Sequence, residues 1–138
     1  MRRVGPAEAH ALVTSEGYAY VDVRSVPEFE AGHPTGAYNV PLAHDGGVPN
    51  PGFIDVIERL FDKGRGIVVG CQAGGRSLRA ATLLTAAGFT SVVDQRAGWG
   101  GARDAFGRVT EAGWERAGLP AAAASEPGRS WAELGGRS

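Results

Sequence analysis

The sequence has almost no cysteine, and it has no long apolar run. Cys71 is the single cysteine among 138 residues, which excludes an internal disulfide and leaves the thiol available for chemistry. This cysteine usage is typical of a reducing compartment, so we expect a cytoplasmic protein. No apolar run approaches the roughly 20 residues that a membrane-spanning helix needs, so we expect no membrane segment.

The chain also lacks an excess of positive or negative charge, because its net charge is only −1. Such a balance gives no reason to expect nucleic-acid binding. The three histidines, His10, His33 and His44, show no metal-ligand spacing with one another or with Cys71. We therefore predict neither a metal nor another cofactor.

The chain is organised around the Gly-rich turn that carries Cys71. The apolar run 67–70 precedes this turn and predicts a buried strand, and a helical pattern over 78–87 follows it. The start of a helix directs free backbone N–H groups and the positive end of the helix dipole toward the turn, which favours a thiolate. Gly74 and Gly75 allow the backbone to curl into an anion-binding nest.

Positive charge lies close to this turn. Arg76 and Arg79 follow the glycines, and we expect Arg76 to attract an anion. The alternative is that Cys71 is a small buried hydrophobic residue, as lone cysteines usually are. The glycines and arginines around it favour the chemical interpretation.

Strand and helix patterns alternate along the chain. Helices are predicted near 6–15, 25–31, 53–61 and 78–87, and strands near 18–24, 37–42, 67–70 and 90–94. Short connections between alternating elements imply an α/β fold with a mostly parallel sheet of about five strands and helices on both faces.

The C-terminal part has weaker patterns. The segment 98–107 has no clear period and predicts a surface loop, and 114–118 resembles one helical turn. We predict one domain over 1–120 and a tail over 121–138. In this tail, the spacing of Trp131 and Leu134 is compatible with a short docking helix, and disorder is an equal alternative.

Several motifs together resemble those of the single-domain rhodaneses, a family of sulfurtransferases. The matching segments are 21–24 with 28–29, then 32–41, 71–77, 92–94 and 117–120. Two departures stand out. Pro34-Thr35 replaces the usual apolar residue and proline, and the stretch from Gly98 to Trp114 is longer than in the family. In that stretch Arg103, Asp104 and Arg108 are either a partner-binding surface or solvated loop.

The resemblance implies a rhodanese-like fold and a persulfide mechanism. Cys71 would take a sulfane sulfur from a donor such as thiosulfate and pass it to a thiophilic acceptor. Six loop residues would bind the substrate, namely Gln72, Ala73, Gly74, Gly75, Arg76 and Ser77. Asp22 and Arg24 would form a supporting ion-pair network. The expected partners are a small-molecule donor and acceptor, or a sulfur-carrier or thiol protein.

Two other functions are compatible with these residues. A phosphatase or arsenate reductase on the same fold also uses a cysteine and an arginine around an anion loop. Its loop is one residue longer than the four residues that separate Cys71 from Arg76. A non-catalytic rhodanese-like binding module is the second alternative, although such modules often lack the cysteine.

Overall fold

A computed structural model describes residues 2–135. The helices are α1 (Pro6–Glu16), α2 (Val26–Ala31), α3 (Phe53–Leu60), α4 (Gly75–Ala86) and α5 (Trp131–Leu134). The strands are β1 (Arg2–Val4), β2 (Ala19–Asp22), β3 (His33–Pro34), β4 (Tyr38–Asn39), β5 (Ile67–Gly70), β6 (Val92–Gln95), β7 (Ala102–Arg103), β8 (Val109–Glu111) and β9 (Ala121–Ala122).

Five parallel strands form the central sheet in the order β1-β6-β5-β2-β4. The central strand β5 is buried along its whole length, as expected for a strand that helices cover on both faces. The predicted α/β architecture is therefore confirmed. The edge strand β1 was not predicted, since Arg2 and Arg3 give it no apolar alternation.

Each face of the sheet contributes to its own apolar cluster. Val69 and Ile67 pack on one side with residues of α3 and α4, whereas Val68 packs on the other side with Leu12 of α1 and with Trp114. This alternation follows from the two-residue side-chain period of a strand. The parallel pairing of β2, β5 and β6 places their carboxyl ends side by side, and Cys71 follows β5 at this edge.

The helix α4 starts earlier than its sequence pattern indicates. We predicted its start near Leu78, but it begins at Gly75, so Arg76 and Ser77 lie in its first turn. Within α4, Ala81 is buried, whereas Leu83 is 44% exposed. Small side chains face the sheet here because they allow the helix to approach it closely.

A capping box starts α2. Glu28 Oε1 accepts hydrogen bonds from the backbone N–H and the hydroxyl of Ser25, at 3.1 and 3.0 Å. The ring of Phe29, in the last turn, stacks on His33 with centroids 3.6 Å apart. These contacts fix α2 beside the carboxyl edge of the sheet.

The stretch predicted to be a loop without regular structure contains a hairpin, β7–β8. Asp104 Oδ1 accepts from the N–H groups of Phe106 and Arg108, which closes the turn of the hairpin. The predicted helical turn at 114–118 is a hydrogen-bonded turn in which Ala117 N donates to Gly113 O at 3.0 Å, and its first residue, Trp114, is buried.

The last described residues fold back on the domain. β9 pairs with β3, and Trp131 and Leu134 of α5 pack against the core. Arg129 adds a hydrogen bond from its Nη1 to Gly36 O at 2.7 Å. The division of the chain at residue 120 stays a prediction, and residues 136–138 of the predicted tail lie outside the described residues.

Candidate active site

Cys71 lies immediately after the central strand, at the carboxyl edge of the sheet. Its neighbour Gly70 is in register with Asp22 of β2 and with Gln95 of β6. In open α/β sheets, this edge is where ligands bind. The topology therefore brings the motif at 21–24 next to the motif at 71–77.

The sulfur of Cys71 contacts both the turn and the helix that follows it. The Gly74 backbone N–H donates to Sγ at 3.0 Å, and the thiol donates to Ser77 Oγ at 3.5 Å. Ser77 Oγ in turn donates to Gly74 O at 3.3 Å. Among the amides from Gln72 to Ser77 in the described structure, that of Gly74 is the one bonded to the sulfur. Cys71 is only 3% exposed, so a substrate must enter the turn to reach it.

Gly74 is required for the shape of this turn. Its φ is +102°, in the left-handed region that favours glycine, and an added Cβ would lie 2.4 Å from Arg96 O. The next residue, Gly75, is the first of α4 and has open space around it. Of these two adjacent glycines, the backbone therefore requires glycine at position 74 but can accept a side chain at position 75.

A second segment supports the turn from below. Trp99 N donates to Cys71 O at 2.8 Å, and Gly100 N donates to Gln72 O at 2.9 Å. A Cβ on Gly98 would lie 2.5 Å from Cys71 O, so this close approach depends on glycine. Sequence reasoning missed this role, although the Gly-Trp-Gly-Gly run after β6 was a signal for it.

Gln95 holds the supporting segment in place. Its Oε1 accepts from Ala97 N and Gly98 N, at 2.9 and 3.0 Å, and its Nε2 donates to Gly98 O at 2.9 Å and to the Tyr20 hydroxyl at 3.4 Å. Burial, aided by the Asp22 carboxylate, raises the pKa of Tyr20 well above its ordinary value. Tyr20 is therefore a neutral structural group.

Asp22 and Arg24 form a buried ion pair next to the turn. Arg24 Nη2 lies 2.8 Å from Asp22 Oδ2, and both side chains are 2% exposed. The same guanidinium donates to Gly32 O at 2.6 Å and to Gln72 Oε1 at 3.3 Å, and it lies over the Trp99 ring. This network joins β2, the turn after α2 and the Cys71 turn.

Arg76 is bound to a carboxylate outside the turn. Its two terminal nitrogens donate to Glu28 Oε1 and Oε2 at 2.7 and 2.9 Å. The hydrogen bonds from Arg76 lower the pKa of Glu28 to about 2, and those to Glu28 raise the pKa of Arg76. Arg76 thus borders the turn, as the sequence indicates, but its charge is already paired. Ala73, at the tip of the turn, is exposed.

The described residues contain neither a cluster of metal-ligating side chains nor a membrane-spanning helix. Between Arg2 and Gly135, no three His, Cys, Asp or Glu side chains are grouped as a metal ion would require. His33 is buried, and its Nδ1 lies 2.7 Å from Phe29 O, in keeping with a structural role. No helix in this part of the chain is long and apolar enough to cross a membrane.

A model of the rhodanese-like domain matches residues 5–104. The chain belongs to the rhodanese-like domain family. This confirms the resemblance that the motifs indicate, and it places the Cys71 turn inside the matched region.

Similar proteins include enzymes named for sulfur transfer. This rhodanese-like chain is 39% identical, over 115 residues, to Thiosulfate sulfurtransferase 16, chloroplastic, of Arabidopsis thaliana, which covers 81% of this chain and 85% of that protein. It is 40% identical over 97 residues to Senescence-associated protein DIN1 of Raphanus sativus, covering 68% of this chain. The chain spans about half of the latter's length, 53%.

A solved structure shares the rhodanese-like fold. The crystal structure of Rv0390 from M. tuberculosis superposes with a TM-score of 0.75 at 26% sequence identity, covering 90% of this chain and 98% of that one.

Proposed function

We propose that this rhodanese-like protein is a sulfurtransferase that moves a sulfane sulfur from a small donor, such as thiosulfate, to a thiophilic acceptor through a persulfide on Cys71. The observation that carries this proposal is the 3.0 Å hydrogen bond from the Gly74 amide to the Cys71 sulfur. It lies at the N-terminus of α4, where the helix dipole stabilises negative charge. The name of the Arabidopsis relative supports thiosulfate as the donor to test first.

In the first half-reaction, the Cys71 thiolate attacks the outer sulfur of thiosulfate. A new S–S bond forms to Sγ while the S–S bond of thiosulfate breaks, and sulfite leaves with the bonding electrons. The thiol proton goes to solvent before the attack. The Gly74 amide stabilises the attacking anion, and the Ser77 hydroxyl can rotate its proton toward the same sulfur.

In the second half-reaction, a nucleophilic acceptor attacks the outer sulfur of the persulfide. With cyanide, a carbon–sulfur bond forms, the S–S bond to Cys71 breaks, and thiocyanate leaves as the thiolate is restored. The negative charge returns to the position that the Gly74 amide and the start of α4 already face. The same groups therefore stabilise the thiolate at the start and at the end of the cycle.

Asp22 and Arg24 have a positioning role in this proposal. Arg24 holds Gln72 Oε1 and Gly32 O from one buried guanidinium, and Asp22 keeps that cation paired. In the described structure the sulfur of Cys71 is bonded to Gly74 N and Ser77 Oγ and not to either of these groups, so we assign neither a direct part in the sulfur transfer. A cytoplasmic location stays a prediction, because the named relatives include a chloroplastic protein.

Intact-mass spectrometry after incubation with thiosulfate tests the proposal. We expect the wild-type chain to gain one sulfur atom, cyanide to remove it, and Cys71→Ser to gain none. Thiocyanate production should accordingly be lost in Cys71→Ala. Equal background rates in wild type and Cys71→Ala would instead indicate a binding module, and Cys71-dependent hydrolysis of an aryl phosphate without sulfur loading would indicate a phosphatase.

A further inference from the structure

Four arginines around the Cys71 turn are paired with carboxylates. Within residues 2–135, four such pairs lie at the carboxyl edge of the sheet, namely Arg24 with Asp22, Arg76 with Glu28, Arg3 with Asp94 and Arg96 with Glu111. Positive charge that would attract a small anion is therefore cancelled close to its source. The remaining attraction comes from backbone N–H groups and the dipole of α4.

The pair between Arg76 and Glu28 is held in place by a second set of bonds. Glu28 Oε1 accepts a hydrogen bond from Arg76 Nη1 at 2.7 Å. The same oxygen also accepts from the backbone N–H and the hydroxyl of Ser25. The carboxylate is thus fixed at the start of α2, and both of its oxygens engage the guanidinium. Arg76 cannot turn to an incoming anion without leaving a bidentate pair.

Arg79 does not compensate for this pairing. It lies one turn beyond Arg76 and is exposed, so water and salt screen its charge. Among the pairs at this edge, Arg76 with Glu28 is the one that involves a residue of the Cys71 turn as the sequence defines it. The extent to which Glu28 neutralises Arg76 therefore affects how strongly an anion binds in the turn.

We infer that Glu28 sets the charge selectivity of the donor site: by holding Arg76, it weakens binding of dianionic thiosulfate relative to monoanionic thiosulfonates. This inference rests on the proposed function. A thiosulfonate delivers its outer sulfur by the same step, with a sulfinate leaving in place of sulfite, so the two donors differ mainly in charge. A freed Arg76 attracts a dianion about twice as strongly as a monoanion at the same distance.

The test compares sulfur loading of Cys71 by thiosulfate and by benzenethiosulfonate. In Glu28→Gln we expect kcat/KM to rise about tenfold for thiosulfate and about threefold for benzenethiosulfonate, mainly through KM, since the logarithm of each gain follows the donor charge. The thiosulfate gain should shrink as salt is added. Adding Arg76→Gln to this variant should return the donor ratio to the wild-type value.

Glu58→Gln is the matched control. Glu58 is paired with Lys63 at the opposite edge of the domain and has a similar exposure, 39% against 33% for Glu28. It removes the same net charge without changing the turn, so we expect an unchanged donor ratio. A ratio that changes equally in both variants would overturn the inference.

Two further outcomes separate this inference from the proposed function. If both donors load wild-type Cys71 but Glu28→Gln leaves their ratio unchanged, the role of Glu28 is wrong and sulfur transfer stands. If neither donor loads the wild type, sulfur transfer itself is wrong. Should Glu28→Gln fail to fold, Arg76→Gln provides the opposite test, because the unpaired Glu28 carboxylate should reduce thiosulfate loading more than thiosulfonate loading.

Discussion

The backbone amide of Gly74 donates to the sulfur of Cys71 at 3.0 Å, and the chain can present this amide only because residue 74 has no side chain. The contact links the sequence to the chemistry directly. A left-handed residue reverses the backbone after β5, so the N–H faces back toward the thiol while α4 starts one residue later. The negative charge that a nucleophilic sulfur carries is stabilised at this point.

Gly74→Ala and Gly75→Ala should therefore have different effects. We expect Gly74→Ala to lower the free energy of unfolding by roughly 1–3 kcal/mol, because its backbone is left-handed and a Cβ would clash with Arg96 O. Sulfur loading should fall with it. Gly75→Ala has open space and should be neutral or stabilising by up to about 1 kcal/mol. Urea unfolding of both variants measures this difference, and similar losses would contradict it.

Asp22→Asn should be strongly destabilising. It leaves the Arg24 guanidinium, which is 2% exposed, without its carboxylate, and such a loss costs roughly 3–5 kcal/mol. Replacing Arg24 with Met at the same time removes the unpaired charge, so the double variant should recover part of that loss. Urea midpoints of the three chains provide the measurement. A loss below about 1 kcal/mol in Asp22→Asn would show that the pair is not the main support of the turn.

The ion pair of Glu28 predicts a specific dependence of stability on pH. Its folded pKa, about 2, lies below the ordinary value of 4.5, so the folded state binds the proton less readily than the unfolded state. The stabilisation is present above pH 4.5 and is lost as pH falls toward 2. The difference in urea midpoint between wild type and Glu28→Gln should therefore be constant above pH 5 to within experimental error and should shrink below it. A constant difference down to pH 2.5 would contradict this assignment.

Trp131→Ala tests whether the C-terminal segment contributes to the core. Trp131 is partly buried against the main apolar cluster, and losing that contact should lower stability by roughly 1–3 kcal/mol. Phe106→Ala is the control, since Phe106 is 86% exposed at the tip of the hairpin and should change stability by less than about 0.5 kcal/mol. Equal thermal midpoints for the two variants would show that α5 is only loosely attached.

The central part of the fold was predictable because its elements carry strong local signals. The apolar run of β5, the amphipathic pattern of α3 and the capping box of α2 each specify their structure with few neighbours. β1 was missed because its partner β6 is distant in sequence, whereas the hairpin was missed because its strands are short and mostly exposed and so carry no apolar alternation. Arg3, for example, reads as polar surface until Asp94 is placed beside it.

The candidate site was predictable in position and less so in electrostatics. Cys71, Gly74 and Ser77 lie together as their spacing indicates. The pairing of Arg76 with Glu28 depends on how α2 docks against α4, and 48 residues separate the two side chains in sequence. Local sequence patterns do not extend over such a separation. The sequence therefore shows that Arg76 is present but not whether its charge is paired.

The edge strand β1 has a consequence for how the chain folds. Its partner β6 lies about ninety residues further along, as the separation of 91 between Arg3 and Asp94 shows. Forming this pairing requires closure of a very long loop, whereas β2, β5 and β6 can associate without it. Although β1 precedes the other strands of this sheet in the chain, it is consequently among the last of them to gain a neighbour, because the loop-closure entropy opposes its pairing most strongly.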